Sequence, residues 1–352
     1  MFTLKSVYSL MFFIVPSLQG YWWTVGNIDM KKISPQTLMT LHKFTGLQRT
    51  LIANTPKLLP VAGKGASMAI QECKKQFENR RWNCANYSSE SVFGKVLNIA
   101  CRETAFIHAI TSAGVTYALI ESCASGFMKR CHCSAESGKG TRVNNSWIYD
   151  GCTESVRFGY QRGKHFVDAK ETSRDFKSIV NLHNNEAGRL AVLDSMKIKC
   201  KCHGLSGACN VQTCRKVLPT FRQVGYLLKE KYNTASKVVP VQITGSRRIT
   251  RNNLGPSSSI HLKPTLKDLV YFEESPNFCV PSISEGSLGT QGRYCNASLR
   301  AKGVNGCELL CCGRSWKTKI LKRVENCKCL FEYCCTVSCQ KCTVTREYST
   351  CL

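Results

Sequence analysis

Twenty-three cysteines in 352 residues limit what this chain can fold into. In a reducing compartment so many thiols would serve metals, iron–sulfur clusters or redox chemistry; in an oxidising one they cross-link. The N-terminus chooses between these. Lys5 is the only charge in the first twenty residues, Val7 to Val15 is mostly apolar, and Pro16, Ser17 and Gly20 follow. That is the layout of a signal peptide, and it is too short for a membrane span of about 20 apolar residues. The expectation is cleavage near Tyr21 and a secreted chain with paired cysteines. No later stretch is apolar enough to cross a bilayer. Tyr348 to Leu352 is neither a prenylation box nor a hydrophobic anchor tail.

The cysteines are unevenly spread: eleven lie in 21–278 and twelve in the last 74 positions. The first region reads as helical. Phe106, Ile110, Ala113, Tyr117 and Ile120 mark one helix face, with Val92, Val96 and Ile99 leading into it. Phe176, Ile179, Val180, His183, Ala187, Leu190 and Leu193 mark a second, with Asp175 as N-cap. Phe221, Val224, Leu227, Leu228 and Tyr232 mark a third, and Met68 to Phe77 a fourth. Residues 233–265 lack apolar periodicity and read as a linker; Lys267 to Tyr271 reads as one short strand. The last stretch has too few large apolar side chains for a core, so cross-links replace one. The expected fold class is α+β. A signal peptide (1–20) precedes a mainly helical N-terminal domain (21–232) that carries a disulfide-clamped β-hairpin (197–214). A linker (233–265) leads to a small cysteine-rich C-terminal domain (266–352) of strand pairs and long loops.

Four cysteine pairs have spacings that superficially suit zinc: Cys131 with Cys133, Cys200 with Cys202, Cys327 with Cys329, and Cys339 with Cys342. The last two come closest to a ribbon. The signal peptide and the adjacent Cys311-Cys312 and Cys334-Cys335 argue against metal. The tract Cys200-Lys-Cys202-His-Gly-Leu-Ser206-Gly-Ala-Cys209, followed by Cys214, is more telling. If Cys202 pairs with Cys209 and Cys200 with Cys214, the bridges nest and Ser206 stands near the tip of a doubly clamped hairpin. Lys197, Lys199 and Lys201 alternate with Ile198, Cys200 and Cys202, so three lysines share one strand face. A hydrolase elbow reads G-x-S-x-G, but Ala208 holds the last place and no acid stands out to partner His203. The reading is a serine that another enzyme modifies, on a chain that is not itself an enzyme.

Net charge is +26, from 49 basic and 23 acidic side chains. The compartment and the absence of a reading module exclude nucleic acid. A solvated basic surface is one reading. Attraction to sulfated glycosaminoglycans, through Arg247-Arg248-Arg251 and Lys317-Lys319-Lys322-Arg323, is the preferred one. Three sequons, at Asn86, Asn144 and Asn296, are expected to carry N-glycans.

The tract at 200–209 resembles the acylation hairpin of the Wnt family. Gln71 to Phe77 with Arg80 to Cys84 resembles the family too, as do Arg102 to Phe106, His183 to Arg189, Asp268 to Tyr271 and Gly306 to Arg314. The resemblance covers about residues 65–352. Within the family, the tracts 221–231 and 307–314 look most like the fourth subtype. Ala208 stands where serine is usual, Arg215 where tryptophan is common, and Tyr333 where tryptophan is usual. An N-terminal cysteine pair that many members carry is absent around Leu41 and Ile52 to Thr55.

In the first region the resemblance implies disulfides Cys73–Cys84, Cys123–Cys131, Cys133–Cys152, Cys200–Cys214 and Cys202–Cys209. In the second it implies Cys279–Cys312, Cys295–Cys307, Cys311–Cys351, Cys327–Cys342, Cys329–Cys339 and the adjacent Cys334–Cys335. Cys101 is left over, as a buried free thiol. The resemblance further implies palmitoleate esterified to Ser206, with no cofactor and no metal. The implied receptor is the cysteine-rich domain of a Frizzled. It would be met by Lys197, Lys199, Lys201, His203, Gly204, Leu205 and Ser206 on one side, and by Phe331, Tyr333, Cys334, Cys335 and Val337 on the other. An LRP-type co-receptor, and an acyltransferase and lipid carrier during secretion, complete the implied partners. Membrane association would run through the lipid only, and localisation would be the extracellular space and matrix. The rival reading is a secreted disulfide-rich matrix protein without acylation.

Overall fold

The computed structural model describes residues 22–27, 44–55, 57–84, 93–128, 131, 140–143, 146–150, 154–172, 175–241, 254–258, 262–298 and 305–352. The expected signal peptide, Asn86, Asn144, the expected Cys133–Cys152 bridge and the Arg247-Arg248-Arg251 cluster lie outside these residues.

Helix α1 (Gly46–Asn54) starts at a capping box: Thr45 Oγ1 accepts from the Gln48 amide, and Gln48 Oε1 accepts from the Thr45 amide. Helices α2 (Leu58–Phe77) and α3 (Arg102–Ala124) follow. Almost every side chain of α3 is buried, on all its faces, which makes it the axis of the helical body. Helices α2, α4 (Glu154–Asp168), α5 (Phe176–Asp194) and α6 (Phe221–Asn233) pack around it. The α2–α3 crossing is close because two glycines face each other. A Cβ on Gly65 would lie 2.5 Å from the Gly114 carbonyl oxygen, and one on Gly114 2.3 Å from that of Gly65. The end of α2 is pinned by the expected Cys73–Cys84 bridge, and the end of α3 by Cys123–Cys131.

The expected α5 forms with Asp175 as its cap, Oδ1 accepting from the Ser178 amide at 2.8 Å. Arg189 of α5 is fully buried. It forks onto both carboxylate oxygens of Asp168, at 2.9 and 3.0 Å, and binds Glu186 Oε2 at 2.7 Å. Such a charge is tolerable in the interior only because it is paired. The rest of that motif fastens the following segment. Asn184 donates to the Val270 carbonyl and accepts from the Val270 amide, both at 2.9 Å, imitating a neighbouring strand.

Strands β1 (Gly140–Val143), β2 (Ser146–Asp150), β3 (Lys197–Cys202) and β4 (Val211–Val217) form one sheet in the order β1-β2-β4-β3. The stretch expected as a linker is in part built structure. Strands β5 (Ser236–Pro240) and β6 (Leu254–Pro256) pair with each other, and β5 pairs in parallel with β7 (Val270–Tyr271). Val238, Leu254 and Val270 bury against Ile179 and Val180 of α5, which is why isolated apolar residues suffice there.

The C-terminal region holds β8 (Pro281–Ser282), β9 (Ser287–Leu288), β10 (Tyr294–Cys295), the short helix α7 (Cys307–Leu310), β11 (Trp316–Glu332) and β12 (Thr336–Cys351). Its only described core cluster is Cys307, Leu310, Cys311 and Cys351, three of them bridged cysteines. The expected pairs Cys279–Cys312, Cys295–Cys307 and Cys311–Cys351 all form here. The region is tied to the helical body by Arg81 Nε on the Leu309 carbonyl (3.1 Å) and Arg293 on the Glu78 carbonyl (3.1 Å).

Cys101 is a free thiol, fully buried at the start of α3 with its sulfur 3.5 Å from Thr104 Oγ1. Burial, with the Glu103 charge beside it, pushes the thiol up to about 12.

Two outcomes follow from this packing. Gly114→Ala should lose about 1–3 kcal/mol in denaturant unfolding, because the new methyl meets backbone at the helix crossing. Gly46→Ala, with open space around it, should stay within about 0.5 kcal/mol. Equal effects of the two would show that the crossing is looser than described. With roughly one Cys101 thiol in ten thousand ionised at pH 8, native protein should resist iodoacetamide there and react fully in denaturant. Prompt native labelling at Cys101 contradicts its burial.

Candidate receptor-binding site

The chemistry gathers on two projecting hairpins. In the first, β3 and β4 pair antiparallel from Lys197 opposite Val217 to Cys202 opposite Gln212. Cys200 stands directly opposite Cys214 and is bridged to it; Cys202 closes on Cys209 around the tip. Across the tip, the Gly204 amide donates to the Ala208 carbonyl at 2.8 Å, and the Gly207 amide to the Gly204 carbonyl at 2.9 Å. A Cβ on Gly204 would lie 2.3 Å from the Ala208 backbone carbonyl oxygen, which the turn holds in place, so a side chain there would force the turn to shift.

Ser206 is at the apex, exposed, with φ 56° and ψ 26°. That left-handed conformation is uncommon for a residue with a side chain and costs about 1–2 kcal/mol. The two bridges hold the turn that imposes it. Leu205 beside it is 91% exposed. His203 and Gly204 complete the approach to the tip, and the His203 amide donates to the Val211 carbonyl at 2.7 Å.

Lys197, Lys199 and Lys201 are all exposed on one strand face, as the alternation predicts. The register adds a cation that the sequence reading passed over as a mere departure. Arg215 stands opposite Lys199, and the two line a groove of about 570 Å3 with Lys201, His203 and Thr213. The signal was available: an opposed Cys200–Cys214 bridge puts Lys199 beside Arg215. The hairpin is also not free-standing, since β4 pairs in parallel with β2, Trp147 opposite Val211 through Asp150 opposite Cys214.

The second hairpin is β11–β12, bridged at Cys327–Cys342 and Cys329–Cys339 as expected. The four cysteines whose spacing also suits a zinc ribbon are therefore consumed in disulfides. Beyond a bulge at Lys328 (φ 47°), Phe331 stands opposite Val337 and Leu330 opposite Ser338. Phe331 is 70% exposed and Tyr333 99%. Val337 and Leu330 are exposed with them; Leu330, inside the same bridged loop, was not among the expected contacts.

The expected bridge between Cys334 and Cys335 is corrected here: both are free, exposed thiols. The turn from Glu332 to Thr336 is closed by two successive left-handed residues, Cys334 at φ 82° and Cys335 at φ 79°. At the one described sequon, Asn296 Oδ1 accepts from the Ser298 amide (3.0 Å) and hydroxyl (2.6 Å). No helix among the described residues is long and apolar enough to cross a membrane.

Comparison with known proteins agrees with this geometry. The profile of the wnt family matches residues 40–352. Protein Wnt-1 of Ambystoma mexicanum is 43% identical over 344 residues, covering 95% of this chain and 92% of that protein. Protein Wnt-3a of Homo sapiens is 45% identical over 338 residues, covering 94% of each. These relatives add nothing to the resemblance to the fourth subtype. A chain from the solved structure "Human WLS in complex with WNT8A" superposes with a TM-score of 0.64 at 34% identity, over 87% of this chain and 99% of that one. With a family match across nearly its whole length and relatives above 40% identity, this chain belongs to the Wnt family.

Proposed function

We propose that this chain is a secreted signalling ligand that carries palmitoleate on Ser206 and binds the cysteine-rich domain of a Frizzled receptor. The observation that carries this reading is Ser206 itself. A serine is fixed in left-handed backbone at the exposed apex of a twice-bridged hairpin, with nothing around it to bury. Such a hydroxyl suits presentation to an acyltransferase and then presentation of a lipid.

Burying an acyl chain contributes about 0.8 kcal/mol per methylene, so a dozen methylenes contribute roughly 10 kcal/mol before ordering costs. The lipid enters an apolar receptor groove, while Lys197, Lys199, Lys201 and Arg215 face acidic residues at its rim. The β11–β12 tip makes the second contact through Phe331, Tyr333 and Val337, with Cys334 and Cys335 between them. Apolar side chains this exposed are a liability without a partner.

During secretion, a carrier like the WLS of the matched human complex shields the lipid. An LRP-type co-receptor docks on the linker segment. Lys317, Lys319, Lys322 and Arg323, exposed along β11, attract sulfated glycosaminoglycans. N-glycans sit on Asn86, Asn144 and Asn296, which deamidation at these three after glycosidase treatment reads directly; none at all three refutes them.

Ser206→Ala should be secreted and folded, because the bridges rather than the serine hold the hairpin. Its reporter output should fall at least about a hundredfold, since much of a roughly 10 kcal/mol contribution vanishes and each 1.4 kcal/mol is tenfold. Full output at equal secreted dose would rule the lipid mechanism out. Phe331→Ala combined with Tyr333→Ala should weaken receptor-domain affinity about tenfold to a hundredfold while leaving acylation intact. An unchanged affinity removes the tip from the interface.

A further inference from the structure

The seam between the helical body and the cysteine-rich domain holds a cavity of about 290 Å3 that neither hairpin uses. Four aromatic rings wall it. Phe77 meets Trp82 edge-on at 4.7 Å and Tyr232 at 4.9 Å; Phe278, from the C-terminal side of the chain, lies 6.3 Å from Trp82. Ligand pockets are built this way, with apolar walls and few polar groups.

The charges at the cavity do not balance. Glu103 lines it, but both its oxygens are engaged, by the Tyr232 hydroxyl at 2.7 Å and the Ser275 hydroxyl at 2.6 Å. Arg80 also lines it, and among the described residues its guanidinium has neither a hydrogen bond nor an ion pair. Lys229 stands behind the wall. Its Nζ is buried without a hydrogen-bond partner, 3.2 Å from the Phe77 ring centroid and 4.2 Å from that of Tyr232. Burial, with the Arg80 charge added to it, brings Lys229 down to about 7. With Lys229 partly neutral behind the rings and Glu103 committed, the Arg80 guanidinium is the unpaired cation that faces the aromatic box.

We propose that this seam cavity binds a small organic anion, one acidic group on a flat apolar body. The body stacks among the rings, and the acid pairs with Arg80 at the rim, away from Glu103. A charge-assisted hydrogen bond to a guanidinium supplies the selectivity for an acid. An inorganic anion lacks the body and a neutral arene lacks the acid. Because the walls come from both domains, an occupant also braces their junction, which otherwise depends on contacts such as Arg81 with Leu309 and Arg293 with Glu78.

The probe is naphthalene-2-sulfonate, titrated into the full-length secreted protein and followed by calorimetry and by thermal unfolding. The expected result is saturable binding at one site with a rise in Tm that follows occupancy. Arg80→Gln should weaken binding about tenfold and Arg80→Lys much less. The neutral naphthalene-2-sulfonamide should bind about tenfold more weakly than the sulfonate, and inorganic sulfate should not compete. The same titration on Ser206→Ala separates the seam from any attached lipid: undiminished binding supports the seam, and binding lost with Ser206 overturns it. No saturable binding, an unaffected Arg80→Gln, or equal binding of the sulfonamide or of sulfate also overturns the proposal.

Discussion

Cross-links stand in for a hydrophobic core wherever this protein reaches into solvent. Nearly every side chain of β11 and most of β12 is exposed, and an isolated two-stranded ribbon is at best marginally stable in water. Bridges Cys327–Cys342 and Cys329–Cys339 hold the ribbon near its tip, and Cys311–Cys351 sews its base into a cluster made mostly of cystine. Each closes a loop whose entropy is worth about 2–4 kcal/mol to the unfolded chain. The same device shapes β3–β4. Leu205, Phe331 and Tyr333 can therefore stay in water, because the fold does not need them for stability.

The helical body works by the opposite rule. Helix α3 is buried all round and its neighbours approach it through glycines. That difference explains what could be read from the sequence. The stripes on α3, α5 and α6 are apolar side chains at helical spacing, and Asp175 caps where the pattern places it. Helix α4 went unread because its buried face runs through Ser155, Gly159 and Gly163 before it reaches Phe166 and Val167, so small residues interrupt the apolar stripe. Gly159 and Gly163 are there because Ile120 and Thr116 of α3 leave no room for a Cβ. Strands β5 and β6 went unread because their stability comes from α5, far away in the chain.

At the site, Ser206 and the lysine face follow from cysteine spacing and strand alternation, which are local signals. Arg215 follows only from register, and the place of β4 beside β2 from a parallel pairing that no local pattern announces. The tip residues Phe331, Tyr333 and Val337 were legible because apolar residues inside a short bridged loop have nowhere to bury. The state of Cys334 and Cys335 was not, since adjacency alone does not fix the backbone that would join them.

The central claim is that the clamped apex exists to carry a lipid. The most direct measurement is the mass of the disulfide-linked peptide spanning Cys202 to Cys209, released from the secreted protein without prior base treatment. The account predicts a peptide heavier by one monounsaturated sixteen-carbon acyl group, with fragmentation placing it on Ser206, alkali removing it and neutral hydroxylamine, which cleaves thioesters, leaving it in place. A peptide of unmodified mass from protein that still activates its receptor would contradict the account.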